Sequence, residues 1–428
     1  MADIKPASRS PWRWIPTLYV AQGLPYALAM SVSVVLYKNL GISNAAITFW
    51  TSWLGLPWII KPLWSPVVDI LKTRRQWIWA TQFCLGASLA AVALAIPAPH
   101  FFQLTLAFFW LVAFNSATHD IAADGFYMLA TTEHEQSLFI GIRTVFYRIA
   151  SICAQGGLVV LAGRIYKRTG DYAVAWSVPF ALVAGILLLL GAYHFFVLPK
   201  PARDQPDIPG PKKNFPTEFL KTFGTFFQKT KIAVMLSFLL LYRLGEAQLL
   251  KMAPLFMLDP RASGGLGLAT DQVGVIYGTV GVILFMLGAL LGGFVVARHG
   301  LKFWLWPMLL AIHLPDAVFI WLAYAQPENL YAISAGVAAE QFGYGFGFMA
   351  FMLYMIYIAR GEHATAHYAI CTGFMALGIN LPGAWSGWLQ QQLGYPHFFV
   401  WVILATIPSF IAALFIPLDA EFGKRNGK

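Results

Sequence analysis

Charge is what this chain has least of. Of its 428 residues only 11% are Asp, Glu, Lys or Arg, against about 25% in an ordinary soluble domain. Such a chain cannot clothe a water-facing surface in polar groups, which excludes a soluble enzyme of one to three domains. Cysteine is also scarce: Cys84, Cys153 and Cys371 stand far apart inside apolar runs, with no CxxC. They are expected as small buried hydrophobes rather than metal ligands or disulfides. No GxxxxGK occurs, so a P-loop in this chain does not drive it with ATP. What is abundant is apolar: 58% of the residues are hydrophobic, 16% of the chain is aromatic, and the mean hydropathy is +0.64. Aromatic richness of that order excludes a disordered chain. The remaining solvent is lipid.

A helix needs about 20 apolar residues to cross a bilayer core. Runs of that kind place twelve spans near 12–37, 45–70, 77–97, 101–130, 138–162, 175–198, 232–258, 271–297, 303–325, 329–359, 367–391 and 397–417. The one long polar stretch, 199–231, is rich in Pro and Lys and separates six spans from six. The expected organisation is therefore a six-helix bundle over 1–198, a linker over 199–231, and a second bundle with its tail over 232–428. The net charge of +10 is a topology signal, not a nucleic-acid footprint, because the basic residues sit at the ends of apolar runs. With the amino terminus in the cytoplasm, 19 Lys and Arg fall on the cytoplasmic side and 5 on the other, so both termini are expected inside. The basic start (Lys5, Arg9, Arg13) runs straight into a full span, and no cleavable signal is expected.

Two six-span halves joined by a basic linker resemble the major facilitator architecture, an all-α membrane fold whose halves are parallel repeats. A register test agrees. Gln22 and Arg243 are 221 residues apart, and Asp120 and Glu340 are 220 apart.

The spans carry Lys61, Asp69, Asp120, Asp124, Arg143, Arg148, Arg243, Glu246, Lys251, Asp316 and Glu340. A charge at mid-bilayer costs about 2.5–3.5 kcal/mol on insertion scales, so most of these must face a partner or a wet cavity. Asp120 and Asp124 share one helical face, with Asn115, Ser116 and His119 near it. Two carboxylates so placed hold a proton readily, as a coupling site requires; the alternative is a fixed ion pair with Lys61 or Arg148. Arg243 and Glu246, three apart, either neutralise each other or leave the guanidinium to grip an anionic solute. Glu340 and Gln341 precede Gly343, Gly345 and Gly347, giving span ten a polar and closely approachable face. Gln22, Tyr26 and Gln248 join Lys61, Asn115, Arg148, Arg243 and Gln341 as candidate substrate contacts. Asp120, Asp124, Glu246 and Glu340 are the candidate proton sites. Asp69, followed by Arg74 and Arg75, forms a degenerate facilitator loop motif expected to gate the conformational change. His363 and His367 are four apart but lack a third ligand, so no metal and no cofactor is expected. Asp120 and Asp124 lack the second acidic motif of a membrane prenyltransferase, and no enzyme activity is expected.

The chain resembles the AmpG-like muropeptide permease branch of the major facilitators, in the peptide/acetyl-coenzyme-A transporter group. The matching pieces are Gly23-Leu24-Pro25, Lys61, Leu63-Trp64-Ser65-Pro66, Asp69, Ser116-Ala117, Asp120-Ile121, Asp124, Tyr147-Arg148, Leu241 to Ala247, Val273-Gly274-Val275, Gly292-Gly293, Glu340 and Ala364-Thr365. The resemblance implies a monomeric proton symporter of the bacterial inner membrane, importing anhydromuropeptides for cell-wall recycling. A siderophore or acyl-coenzyme-A-like anion is the alternative cargo. Departures from the family pattern are His119 in place of glutamine, the additional Arg143 and Lys251, and twelve spans where recycling permeases carry more.

Overall fold

A computed structural model describes residues 10–423 except 66–67, 69–70, 203, 206–223 and 361–363. Among the described residues the chain is helical and contains no strand. The fold is the expected all-α membrane architecture, and among the described residues ten helices are long and apolar enough to span. The arithmetic reaches twelve through two local features. The helix Ile370–Phe415 is 46 residues long and contains spans eleven and twelve, divided at Gly394 with φ 72°. That left-handed backbone is open to glycine at little cost. Span two is instead broken into Asn44–Trp53, Leu56–Ile60 and a 3-10 turn, Lys61–Leu63. Pro57 and Pro62 each remove a backbone donor there.

The chain divides into two compact units. The first comprises residues 1–40 and 54–211, the second 41–53 and 212–428. The partition cuts the expected first bundle at span two: its leading helix, Asn44–Trp53, packs with the second unit. The first unit also runs past residue 198 into the linker.

In the first unit span six packs on span three, three on four, and one on five. Trp14, Leu18, Ile78, Phe126 and Phe139 form a buried core. Spans one and five approach at Gly23, where a Cβ would stand 2.8 Å from the Tyr147 carbonyl oxygen. Both helices loosen into π turns, Leu28–Val32 and Cys153–Leu158.

The second unit is centred on Phe238, Tyr242, Met308, Phe351 and Tyr354. Its tightest contacts explain the glycines of span ten. A Cβ on Gly345 would sit 2.0 Å from the Phe285 oxygen of span eight, and one on Gly343 would sit 2.1 Å from the Ala311 oxygen of span nine. The glycines thus admit neighbouring helices, the usual use of small residues between membrane helices. The closely approachable face expected at these positions is approached by the backbones of spans eight and nine.

Outward side chains such as Leu189, Phe196, Leu290 and Phe294 are mostly exposed, as lipid-facing residues are. Cys84 and Cys153 are exposed and Cys371 is buried. The expectation of three buried cysteines is therefore corrected: in a membrane protein an apolar run faces lipid as readily as core.

Candidate functional site

The first unit gives the two aspartates of span four different surroundings. Asp120 accepts a hydrogen bond from Trp58 Nε1 at 3.0 Å. It is also bonded to Gln22 and lies within electrostatic reach of Lys61 and Asp124. Asp124 is bridged by Arg143 at 3.2 Å and receives the Tyr19 hydroxyl at 3.3 Å. Arg143 stacks over Tyr19 and Tyr127, at 4.7 and 5.0 Å. On this face Arg143 pairs with Asp124, while Lys61 stands within electrostatic reach of Asp120. Tyr26 packs edge-on to Trp58 at 5.0 Å and tilted to Tyr147 at 6.5 Å. Arg148 is half-buried beside Tyr147, which lies within electrostatic reach of both Asp120 and Arg148. The structure therefore gathers Gln22, Tyr26, Lys61, Asp120 and Arg148 around one region. Asn115 stands apart: its amide turns back to the Leu111 carbonyl of its own helix, at 2.9 Å.

In the second unit, span seven interrupts its helix at Arg243, whose φ of −109° and ψ of 14° are non-helical. The break lets Arg243 fold its fork onto Glu246, with Nε 2.6 Å and Nη2 2.9 Å from the carboxylate oxygens. Nη2 also donates to the Tyr344 hydroxyl at 2.6 Å, and the guanidinium lies over the Phe348 ring. Both charges are buried, at 3% and 0% exposure. Mutual neutralisation is the arrangement observed. Gln248 donates to Leu244 O at 2.9 Å and accepts from Trp401 at 3.0 Å.

Glu340 contrasts with Glu246. It is 1% exposed and, among the described residues, receives only the Gln341 amide, at 3.0 Å, while its Oε1 has no hydrogen-bond partner there. Asp316 is equally buried, with both carboxylate oxygens unpartnered. An ionised carboxylate in that condition is costly.

A polar seam joins the helix Asn44–Trp53 to spans seven and eleven. Asn44 Nδ2 donates to Asp259 at 2.9 Å and Gln390 at 3.1 Å, and Tyr395 donates to Asp259 at 2.5 Å. Along the same helix, Lys251 Nζ donates to Thr51 at 3.2 Å.

Of the loop motif, Asp69 lies outside the described residues. Arg74 and Arg75 open span three, and their backbone amides both donate to the carboxylate of Asp204, at 2.8 and 3.0 Å. The Arg75 side chain donates to the carbonyls of Leu198, at 3.2 Å, and Phe195. Arg74 lies against Gly125 of span four. At the far end of the linker, Lys229 donates to the last carbonyls around span ten, Ile358 and Arg360. Partial burial lowers its ammonium from the usual lysine range. His363 lies outside the described residues, while His367 is 3.2 Å from the Thr225 hydroxyl.

Sequence reasoning missed Trp58, Tyr19 and Tyr344 as partners, and it missed a buried chain through four helices. Thr17 contacts His194 at 2.9 Å, His194 contacts Gln82 at 2.8 Å, and Gln82 contacts His119 at 2.9 Å. Tyr344 had a findable signal, being one turn from Glu340. The others are joined only by the fold.

Comparison with known proteins agrees with this architecture. The family model of the Major Facilitator Superfamily matches residues 17–379. The chain is 26% identical over 411 residues to an anhydromuropeptide permease of Escherichia coli (strain K12), covering 95% of this chain and 79% of that one. It is 25% identical to a putative transporter, AmpG 4, of Rickettsia conorii, covering 93% and 94%. Among solved structures, a D-xylose-proton symporter superposes with a TM-score of 0.68 at 12% identity, covering 96% and 98%. The nucleoside transporter NupG superposes at 0.66 and 14%, covering 95% and 98%. At such identities the structures speak for the fold alone.

Proposed function

Because the chain belongs to the Major Facilitator Superfamily, we propose that it is a proton-coupled symporter importing anhydromuropeptides or related peptide–sugar conjugates across the bacterial inner membrane. It is a transporter related to the muropeptide permeases, not an enzyme. The excess of basic residues on one side supports an orientation with both termini in the cytoplasm. The cargo follows the curated permease it resembles over 95% of its length.

One observation carries the coupling: Glu340 is a fully buried carboxylate with a single amide donor and an unpartnered oxygen. A group in that setting is stable as the neutral acid and must meet water or a cation to ionise. Alternation between those settings is how a carboxylate carries a proton. Asp120, held by neutral Trp58 and Gln22 with Lys61 nearby, is the second candidate. Asp124 and Glu246 already hold arginines and act by positioning them. One charge crossing 100 mV releases about 2.3 kcal/mol, and each tenfold gradient costs about 1.4 kcal/mol. One net charge per cycle therefore sustains roughly a 50-fold accumulation.

Labelled anhydromuropeptide should accumulate in proteoliposomes under an imposed pH gradient and should leak out when the gradient is collapsed. Absence of accumulation with active protein refutes the cargo. A second reading, an acyl-coenzyme-A-like or siderophore anion, is favoured by the extra buried cation Lys251. Competition by acyl-coenzyme A in the same vesicles separates the two.

A further inference from the structure

Among the described residues no opposite charge answers the buried ammonium of Lys251. We propose that Lys251, with the hydroxyls of Thr51 and Ser52, forms an anion subsite of the second unit that takes a carboxylate or phosphate of the transported solute. Lys251 is 6% exposed on span seven. Among the described residues its hydrogen-bond acceptor is the Thr51 hydroxyl, at 3.2 Å, and no carboxylate stands within ion-pair distance. An ammonium has three donors, so two are left without a protein acceptor there. Ser52, the next residue, points a buried hydroxyl that has no hydrogen-bond partner. Both border the same spot on span eleven. A Cβ added to Gly383 would stand 3.1 Å from Lys251 Cγ and 3.2 Å from Ser52 Oγ. The glycine therefore brings the backbone of span eleven close to both the Lys251 stem and the Ser52 hydroxyl, and a side chain there would crowd them.

The other charges of the seam do not serve it. Asp259 lies eight residues further along the helix, about 12 Å at 1.5 Å per residue, and is held by Asn44 and Tyr395. Glu246 is taken by Arg243. The second unit thus keeps its arginine neutralised and its lysine not. An anionic group brought by the solute supplies what the lysine lacks: a counter-charge, and acceptors for its spare donors and for the Ser52 hydroxyl. The inference rests on the transport reading, and its test is built so that the two fail separately.

Binding is measured on the full chain in nanodiscs, with anhydromuropeptide and with its analogue whose carboxylates are converted to carboxamides. Lys251→Gln should weaken the acid ligand at least tenfold, Lys251→Arg should retain most of the affinity, and the carboxamide should bind wild type and Lys251→Gln alike. Equal affinity of wild type and Lys251→Gln for the acid overturns the subsite, as does an equal loss for both ligands. Should Lys251→Gln not fold, Ser52→Ala leaves the charge in place and should weaken the acid ligand about threefold; no change overturns the proposal. If wild type binds no anhydromuropeptide, the cargo is refuted, and the subsite is read from melting in acyl-coenzyme A and in citrate at constant ionic strength. A rise in Tm that Lys251→Gln abolishes supports it. An identical response of the two proteins, including none, overturns it.

Discussion

The two units carry the same pair of positions and use them differently. Gln22 and Asp120 in the first unit correspond by register to Arg243 and Glu340 in the second. In the first unit the pair meets, Gln22 bonding to Asp120. In the second it does not: Arg243 turns to Glu246 and Tyr344, leaving Glu340 with an amide from its own neighbour. A glutamine can satisfy one acid without changing the net charge. An arginine would have fixed its partner as a carboxylate, and here that partner is Glu246. The difference teaches that the second unit has separated its buried ion pair from its buried unpaired acid, whereas the first has spread charge over one less buried region.

The largest effect expected from this contrast concerns stability. Arg243→Ala leaves Glu246 buried and uncompensated, a loss of about 3–5 kcal/mol for pairs of this kind, read as a fall in Tm or in detergent lifetime. The double replacement Arg243→Met with Glu246→Leu should recover most of it, and failure to recover would show that the pair does more than cancel charge. Next comes transport. Glu340→Gln should reduce proton-driven uptake about 100-fold, about 2.7 kcal/mol at 1.36 kcal/mol per decade, while solute counterflow without a gradient persists. Asp120→Asn should reduce driven uptake about tenfold. Equal losses would break the contrast, and a larger loss at Asp120 would move the coupling site to the first unit. Smallest is Asp124→Asn. Its bridge to Arg143 is part-exposed, 41% at the acid and 28% at the base, so removal should cost at most about 1 kcal/mol and the loss should shrink in high salt.

How much of this was legible beforehand follows from sequence distance. Arg243 and Glu246 are a helix turn apart, and spacing alone offered their mutual neutralisation as one of two readings. The spans and the polar linker were legible for the same reason, since apolar run length is a local property. Trp58 and Asp120 are 62 residues apart, and Asn44 and Gln390 are 346 apart. No periodicity carries such pairs, because each side chain looks ordinary until helix packing brings a partner to it. Arg143 and Lys251 illustrate the point. Both stood out as additional charges, yet only the fold shows that Arg143 has an aspartate and that Lys251, among the described residues, has none. The glycines of span ten were legible as points of close approach, but absence of a side chain does not say whether a ligand or a helix approaches, and here helices do.

The 199–231 segment acts as a brace at each end. It sends an acid, Asp204, to the first amides of span three, and a base, Lys229, to the last carbonyls around span ten. Each complements the partial charge of the helix terminus it meets. A fusion partner or cleavage site introduced between those two residues leaves both clamps intact, and two fragments cut there retain their own helix-end partners. Moving the cut outward, before Asp204 or after Lys229, removes a terminus from its cap. The useful boundary for splitting or tagging this protein is therefore set by two electrostatic anchors rather than by where the apolar runs stop.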